Sequence, residues 1–129
     1  MNILLVALGG GSGAVCRYLL GVWFINHTKQ WIIPTAMVYV NVLGSFGLGI
    51  FFGFIYQEIP YMADDLYEQA LFLLFGLGFF GAFTTFSTFS VEASLLVQKK
   101  RWKRLSIYVA LSILGSILAF LTGLFLGGV

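Results

Sequence analysis

Gly76-Leu77-Gly78-Phe79-Phe80-Gly81-Ala82-Phe83-Thr84-Thr85-Phe86-Ser87-Thr88-Phe89-Ser90 runs through the middle of a long apolar segment. Three glycines come first, then hydroxyls interleaved with phenyl rings. A membrane helix tolerates such glycine density poorly unless its backbone is meant to break there, and a break frees backbone carbonyls. The hydroxyls supply donors. Phe86 and Phe89, three apart, fall on neighbouring positions of one helical face. The stretch therefore predicts an ion-handling element inside a membrane helix.

The rest of the chain agrees with a membrane setting. Of its 129 residues 60% are hydrophobic and only 9% are charged, and the mean hydropathy is +0.97. A soluble domain carries about 25% charged residues, so this surface is not built to face water. The composition predicts an all-α integral membrane protein of one domain, 1–129. The first apolar stretch lacks a positive leader and continues through Arg17, unlike a cleaved signal. A lone Cys16 excludes an internal disulfide. With a single His27 there is little material for a thiolate or imidazole metal site, or for His-based catalysis. No Ser/His/acid set is available, so the chain does not read as an enzyme.

Four apolar stretches are long enough to cross about 30 Å of hydrocarbon: 3–25, 35–56, 70–97 and 105–127. Trp23, Trp31, Tyr56, Tyr61, Tyr67 and Trp102 fall near their ends, where interfacial aromatics belong. Pro34 opens the second span and Pro60 lies in a loop, so neither interrupts a helix. The third span would be about 40 Å long if straight, more than the bilayer needs. Gly76, Gly78 and Gly81 offer a place to unwind; the alternative is a long tilted helix with glycines for close packing.

Small residues recur at helical spacing elsewhere: Gly9 and Gly13; Asn41, Ser45, Gly49 and Gly53; Ser112 and Ser116 after Tyr108, continuing toward Gly123. Such stripes let membrane helices approach closely, which suffices to explain the glycines but explains Asn41 and the Tyr108 hydroxyl less well. The run Gly9-Gly10-Gly11-Ser12-Gly13-Ala14 imitates a nucleotide loop, yet the acidic residue about 20 positions on is missing. It reads as a packing surface.

The charge is asymmetric. Lys99-Lys100-Arg101-Trp102-Lys103-Arg104 holds five of the seven basic residues, and Glu58, Asp64, Asp65 and Glu68 cluster in another loop. Set between two apolar segments, the basic run reads as a cytoplasmic membrane-flanking loop and not as a nucleic-acid site. Together with Lys29 it places six basic loop residues on one side and none on the other. That predicts a fixed orientation with both termini outside.

Asn41, Thr84, Thr85, Ser87, Thr88, Ser90, Tyr108, Ser112 and Ser116 are the candidate polar groups for transport. Amides and hydroxyls donate without full charge, which suits an ion that must be partly dehydrated and then released. Phenyl edges carry the positive end of the ring quadrupole, so Phe86 and Phe89 can approach an anion edge-on, or simply pack. Arg17 is the only fixed cation inside a span; it either snorkels to an interface or marks a vestibule. Glu92, toward the end of the third span, reads as an interfacial or partner-satisfied carboxylate.

The glycine-rich start through Arg17-Tyr18, the Val40-Asn41-Val42-Leu43-Gly44 segment and above all Gly81-Ala82-Phe83-Thr84-Thr85-Phe86-Ser87-Thr88-Phe89-Ser90 resemble the Fluc/CrcB fluoride channels over essentially the full chain. The resemblance implies a fluoride-selective ion channel in the cell membrane that lets cytoplasmic fluoride leak out and relieves its toxicity. It implies an antiparallel dimer with two pores, a third helix broken mid-membrane and a central structural sodium ion (Na+). By motif position, Asn41, Phe86, Phe89 and Thr88 would line the fluoride pore. Tyr108, Ser112 and Ser116 would form a polar track, and Arg17 would stand near an aqueous vestibule. Gly81 and Thr84 would offer backbone carbonyls to sodium. The family commonly has a second glycine where this chain has Ala82. Homodimers that insert both ways need balanced loops, so the charge bias here favours a heterodimer with an oppositely oriented paralogue. The competing reading is a small proton-coupled multidrug exporter, which needs an intramembrane carboxylate, and Glu92 is its one candidate. A third is a membrane assembly factor whose glycines serve packing alone.

Overall fold

The computed structural model describes residues 2–27, 35–57 and 65–129. Lys29, Trp31, Pro34, Glu58, Pro60, Tyr61 and Asp64, named above, lie outside them. Among the described residues every regular element is helical: α1 (Asn2–His27), α2 (Thr35–Ile55), a 3-10 turn (Leu66–Glu68), a π-helical segment (Phe72–Phe80), α3 (Gly81–Phe83), α4 (Phe86–Gln98) and α5 (Trp102–Leu126). Four stretches are long and apolar enough to cross a membrane: Asn2–His27, Ala36–Ile55, Phe72–Gln98 and Trp102–Leu126. The chain is a multi-pass membrane protein.

The bundle is built from two close pairs, α1 with the π-helical segment and α2 with α5. Hydrocarbon surrounds both the separate and the packed helices, so apolar burial does little to drive their association. Close backbone approach does more, and the small-residue stripes supply it. A methyl group added to Gly9 or Gly13 would strike the carbonyl of Leu74 or Phe79, and one added to Gly78 would meet the Val6 carbonyl. In the second pair Gly49 and Gly53 lie against the carbonyls of Phe120 and Leu124, and Gly123 faces that of Phe46. Dispersion and weak Cα–H···O contacts reward this proximity. Among the described residues the buried apolar set is small: Val40, Phe52, Leu73, Phe83, Leu96, Tyr108 and Leu124. Large side chains such as Ile3, Phe54 and Phe125 point outward, as they must in a lipid solvent.

The third span departs from the expected site of unwinding. The glycines 76–81 remain wound: Gly76 and Gly78 belong to the π-helical segment and Gly81 to α3. The extended residues are instead Thr84 (φ −78°, ψ 154°) and Thr85 (φ −144°, ψ 125°). The reason is where partners for the backbone can be found. Gly76 is covered by the Phe72 ring, and Gly78 lies against the backbone of Val6 and Gly9 on α1. Winding within the chain satisfies that backbone. Thr85 has an external amide to pair with, that of Asn41.

Candidate ion-handling site

Residue 85 is extended because another helix supplies what its own helix would have supplied. The Thr85 N–H donates to Asn41 Oδ1 at 2.8 Å, and Asn41 Nδ2 donates to the Thr85 carbonyl at 3.0 Å. One carboxamide thus satisfies both backbone groups of the interruption across 44 residues of sequence. It also retains one N–H that these two bonds do not use.

Thr85 then starts α4. Its side-chain oxygen accepts from the Thr88 N–H at 3.3 Å, an ordinary N-cap bond. The same hydroxyl donates to Thr88 Oγ1 at 3.3 Å and lies within hydrogen-bond distance, 3.2 Å, of Ser87 Oγ. On the upstream side the Thr84 hydroxyl donates to the Phe80 carbonyl at 2.9 Å, which the Thr84 N–H also reaches at 3.0 Å.

These bonds single out two carbonyls. In regular winding the Gly81 carbonyl would accept from the Thr85 N–H, and the Thr84 carbonyl from the Thr88 N–H. The first donor is held by Asn41 and the second by the Thr85 hydroxyl. Gly81 also lies at an open surface, with nothing within 4 Å of where a Cβ would be. Two neutral oxygens without their helical donors, on either side of one interruption, are the donor type a hard cation takes.

On α4 the aromatic residues form a ladder with α5. Phe86 and Phe89 have ring centroids 5.9 Å apart, and Phe89 stacks on Tyr108 at 5.4 Å and 18°. Phe86 is 79% exposed and Tyr108 is 0% exposed, so the ladder runs from the open flank of the chain into its interior. The Tyr108 hydroxyl donates to Glu92 Oε2 at 2.5 Å. That commits the single phenolic donor and gives Glu92 a partner inside the protein. Ser112 is buried, and its Oγ has no hydrogen-bond partner among the described residues. Ser116 is half-buried one turn further along α5. Arg17 is half-buried on α1, and among the described residues no hydrogen bond or ion pair ties it to this set.

Thus Asn41, Thr88, Phe86, Phe89 and Tyr108 come together around α4, with Ser112 and Ser116 continuing along α5. Arg17 stands apart. Two residues take more definite roles than the sequence reading gives them. Thr85 carries the interruption and the cap, signalled by a hydroxyl three residues before Thr88 at a helix start. Glu92 lies three residues after Phe89, on the same helical face.

A family model described as "CrcB-like protein, Camphor Resistance (CrcB)" matches residues 4–124. The chain is 54% identical over 125 residues to a protein of Halalkalibacterium halodurans named Fluoride-specific ion channel FluC 1, covering 97% of this chain and 96% of that one. A Carboxydothermus hydrogenoformans protein of the same name is 38% identical over 127 residues, covering 98% and 93%. A Shewanella baltica protein named Fluoride-specific ion channel FluC is 39% identical over 112 residues, covering 87% and 84%.

Proposed function

We propose, from the fact that this chain belongs to the CrcB family, that it is a fluoride-selective channel through which cytoplasmic fluoride leaves passively. The observation that carries this reading is the Phe86–Phe89–Tyr108 ladder beside the Asn41–Thr85 pair. Fluoride is small and strongly hydrated, so its path must replace water with many weak donors in place of one strong charge. The second N–H of Asn41, the Ser112 hydroxyl and the phenyl edges of Phe86 and Phe89 are such donors. Thr88 and Ser116 extend the hydroxyl lining. Tyr108 contributes through its stacked ring, because its hydroxyl is engaged by Glu92. Arg17, on α1 and apart from this set, would serve an aqueous vestibule that attracts the anion.

The working unit is an antiparallel dimer, and the interruption at Thr84–Thr85 lies mid-membrane at its centre. The highly exposed Phe86 and the open surface at Gly81 suit cover by a second subunit. There the Gly81 and Thr84 carbonyls of both subunits would hold a structural sodium ion, whose chemistry is to fix the interruption as an oxygen-ligated hard cation. The loop-charge bias makes the partner preferentially an oppositely oriented paralogue.

Phe86→Ile and Phe89→Ile test the reading by removing ring edges while keeping apolar bulk. In proteoliposomes each is expected to lower fluoride efflux at least about 100-fold, in the range typical when a positioned donor of charge stabilisation is lost, with the dimer intact by gel filtration. Unchanged efflux would refute an anion path along these rings, and loss of the dimer would return them to packing. In the same assay, replacing sodium by a large organic cation is expected to silence the wild-type protein. Equal flux without sodium would remove the cation from the account.

A further inference from the structure

The hairpin between α4 and α5 is made almost entirely of cations, and its backbone would be better served by other residues. Helix α4 ends with the Lys100 N–H bonded to the Val97 carbonyl at 2.9 Å and the Arg101 N–H to the Leu96 carbonyl at 3.0 Å. This is a Schellman closure that puts Lys100 at φ 53°, the left-handed place where glycine is the unstrained choice. Helix α5 then begins at Trp102, with Arg101 as an N-cap that makes no side-chain cap bond and no acidic residue in the first turn. Lys103 and Arg104 stand instead at the positive end of its dipole, where basic groups are disfavoured.

Lys99, Lys100, Arg101 and Lys103 are exposed and Arg104 half-buried. None has an ion-pair partner among the described residues. Of the acids described, Glu92 accepts from Tyr108, and Asp65 and Glu68 lie in the loop before the third span. Trp102, 59% exposed in the middle of the run, is the residue type that seats at headgroup level. Turn geometry and helix dipole are therefore both set aside in favour of uncompensated positive charge at the end of two membrane helices. An anion outside the chain accounts for that.

We propose that this hairpin is a docking surface for the phosphodiester headgroups of anionic phospholipids in the adjoining leaflet, with Trp102 at the glycerol level between the bound headgroups. Membrane-flanking Lys and Arg each contribute about fivefold in favour of anionic lipid, so several acting together select it from a mixed bilayer. The surface caps the hairpin that carries Phe89, Glu92 and Tyr108, and it depends on the membrane setting alone, not on which ion the protein conducts.

The test uses the full chain carrying Trp23→Phe and Trp31→Phe, which leaves Trp102 as the only fluorophore of its kind. It is reconstituted in equal mixtures of phosphatidylglycerol and phosphatidylcholine with bromine on the chains of one lipid or the other. The proposal expects Trp102 to be quenched by brominated phosphatidylglycerol with a relative association constant at least about fivefold above that of brominated phosphatidylcholine. The ratio should fall toward one in Lys99→Gln/Lys100→Gln/Arg101→Gln/Lys103→Gln and in about 0.5 M salt. The charge-preserving Lys99→Arg/Lys100→Arg/Lys103→Arg should keep it, which guards against a variant that merely misfolds. Equal quenching by the two lipids in the unsubstituted hairpin, or a preference that survives loss of the four charges, would overturn it.

Discussion

Asn41→Leu is expected to cost about 3 kcal/mol of stability and to abolish fluoride flux. The change keeps the side-chain volume close but leaves the Thr85 N–H and carbonyl without partners. Each orphaned buried group costs about 1–3 kcal/mol, because no water replaces what the amide supplied. Thr85 itself is only 8% exposed, so the chain cannot turn those groups outward without moving α4. The backbone's other option is to wind through residue 85, which would rotate Phe86, Phe89 and Glu92 away from α5. Thermal unfolding in detergent checks the first consequence. Protection gained at the Phe86 amide in hydrogen exchange checks the second, because winding through residue 85 would give that N–H a helical acceptor, whereas the Thr85 N–H is already bonded in the wild type. A variant that melts with the wild type and keeps its exchange pattern would show that Asn41 does not hold the interruption.

The second large effect is steric. Gly13→Ala adds one methyl group, yet its position is already occupied by the backbone at Phe79. Backbone cannot swing aside as a side chain can, so α1 must separate from the π-helical segment along its length. Opening that seam is expected to cost several kcal/mol, the scale of overpacking or more, and to give polydisperse protein. Gly11→Ala, two residues earlier on the same helix, meets nothing within 4 Å. It should be neutral or gain up to about 1 kcal/mol from the better helix propensity of alanine. Comparable yield and melting temperature for the two variants would contradict the described α1 packing.

The residues explain what sequence could and could not convey. Four spans were legible because hydrocarbon imposes length and apolarity on each one separately. The glycine stripes were legible for the same local reason, and Gly9, Gly13, Gly49, Gly53 and Gly123 do meet backbone of neighbouring helices. The place of the interruption was not legible. Glycine content points to 76–81, but an interruption settles where its peptide groups find partners, and Asn41 lies 44 residues away. The π-winding of Phe72–Phe80, in the segment that packs against α1, likewise leaves no mark in composition. For Glu92 the sequence leaves an interfacial and a partner-satisfied carboxylate both open, and the tight hairpin after Gln98 is what brings Tyr108 to it. The hydroxyl–phenyl run carried the family, because its order is specific; the geometry adds that Thr85 is its hinge and that the Tyr108 donor is already engaged.

The most direct measurement of the central claim is ion efflux from liposomes reconstituted with this chain together with a CrcB-family chain of opposite loop-charge bias, this chain alone forming a second arm. The account predicts rapid fluoride release from the paired liposomes, driven only by the fluoride gradient, with no chloride release and no response to an imposed proton gradient. The single-chain arm is predicted to be slower. Fluoride release no faster than from protein-free liposomes in both arms, or release that follows the proton gradient, would contradict it.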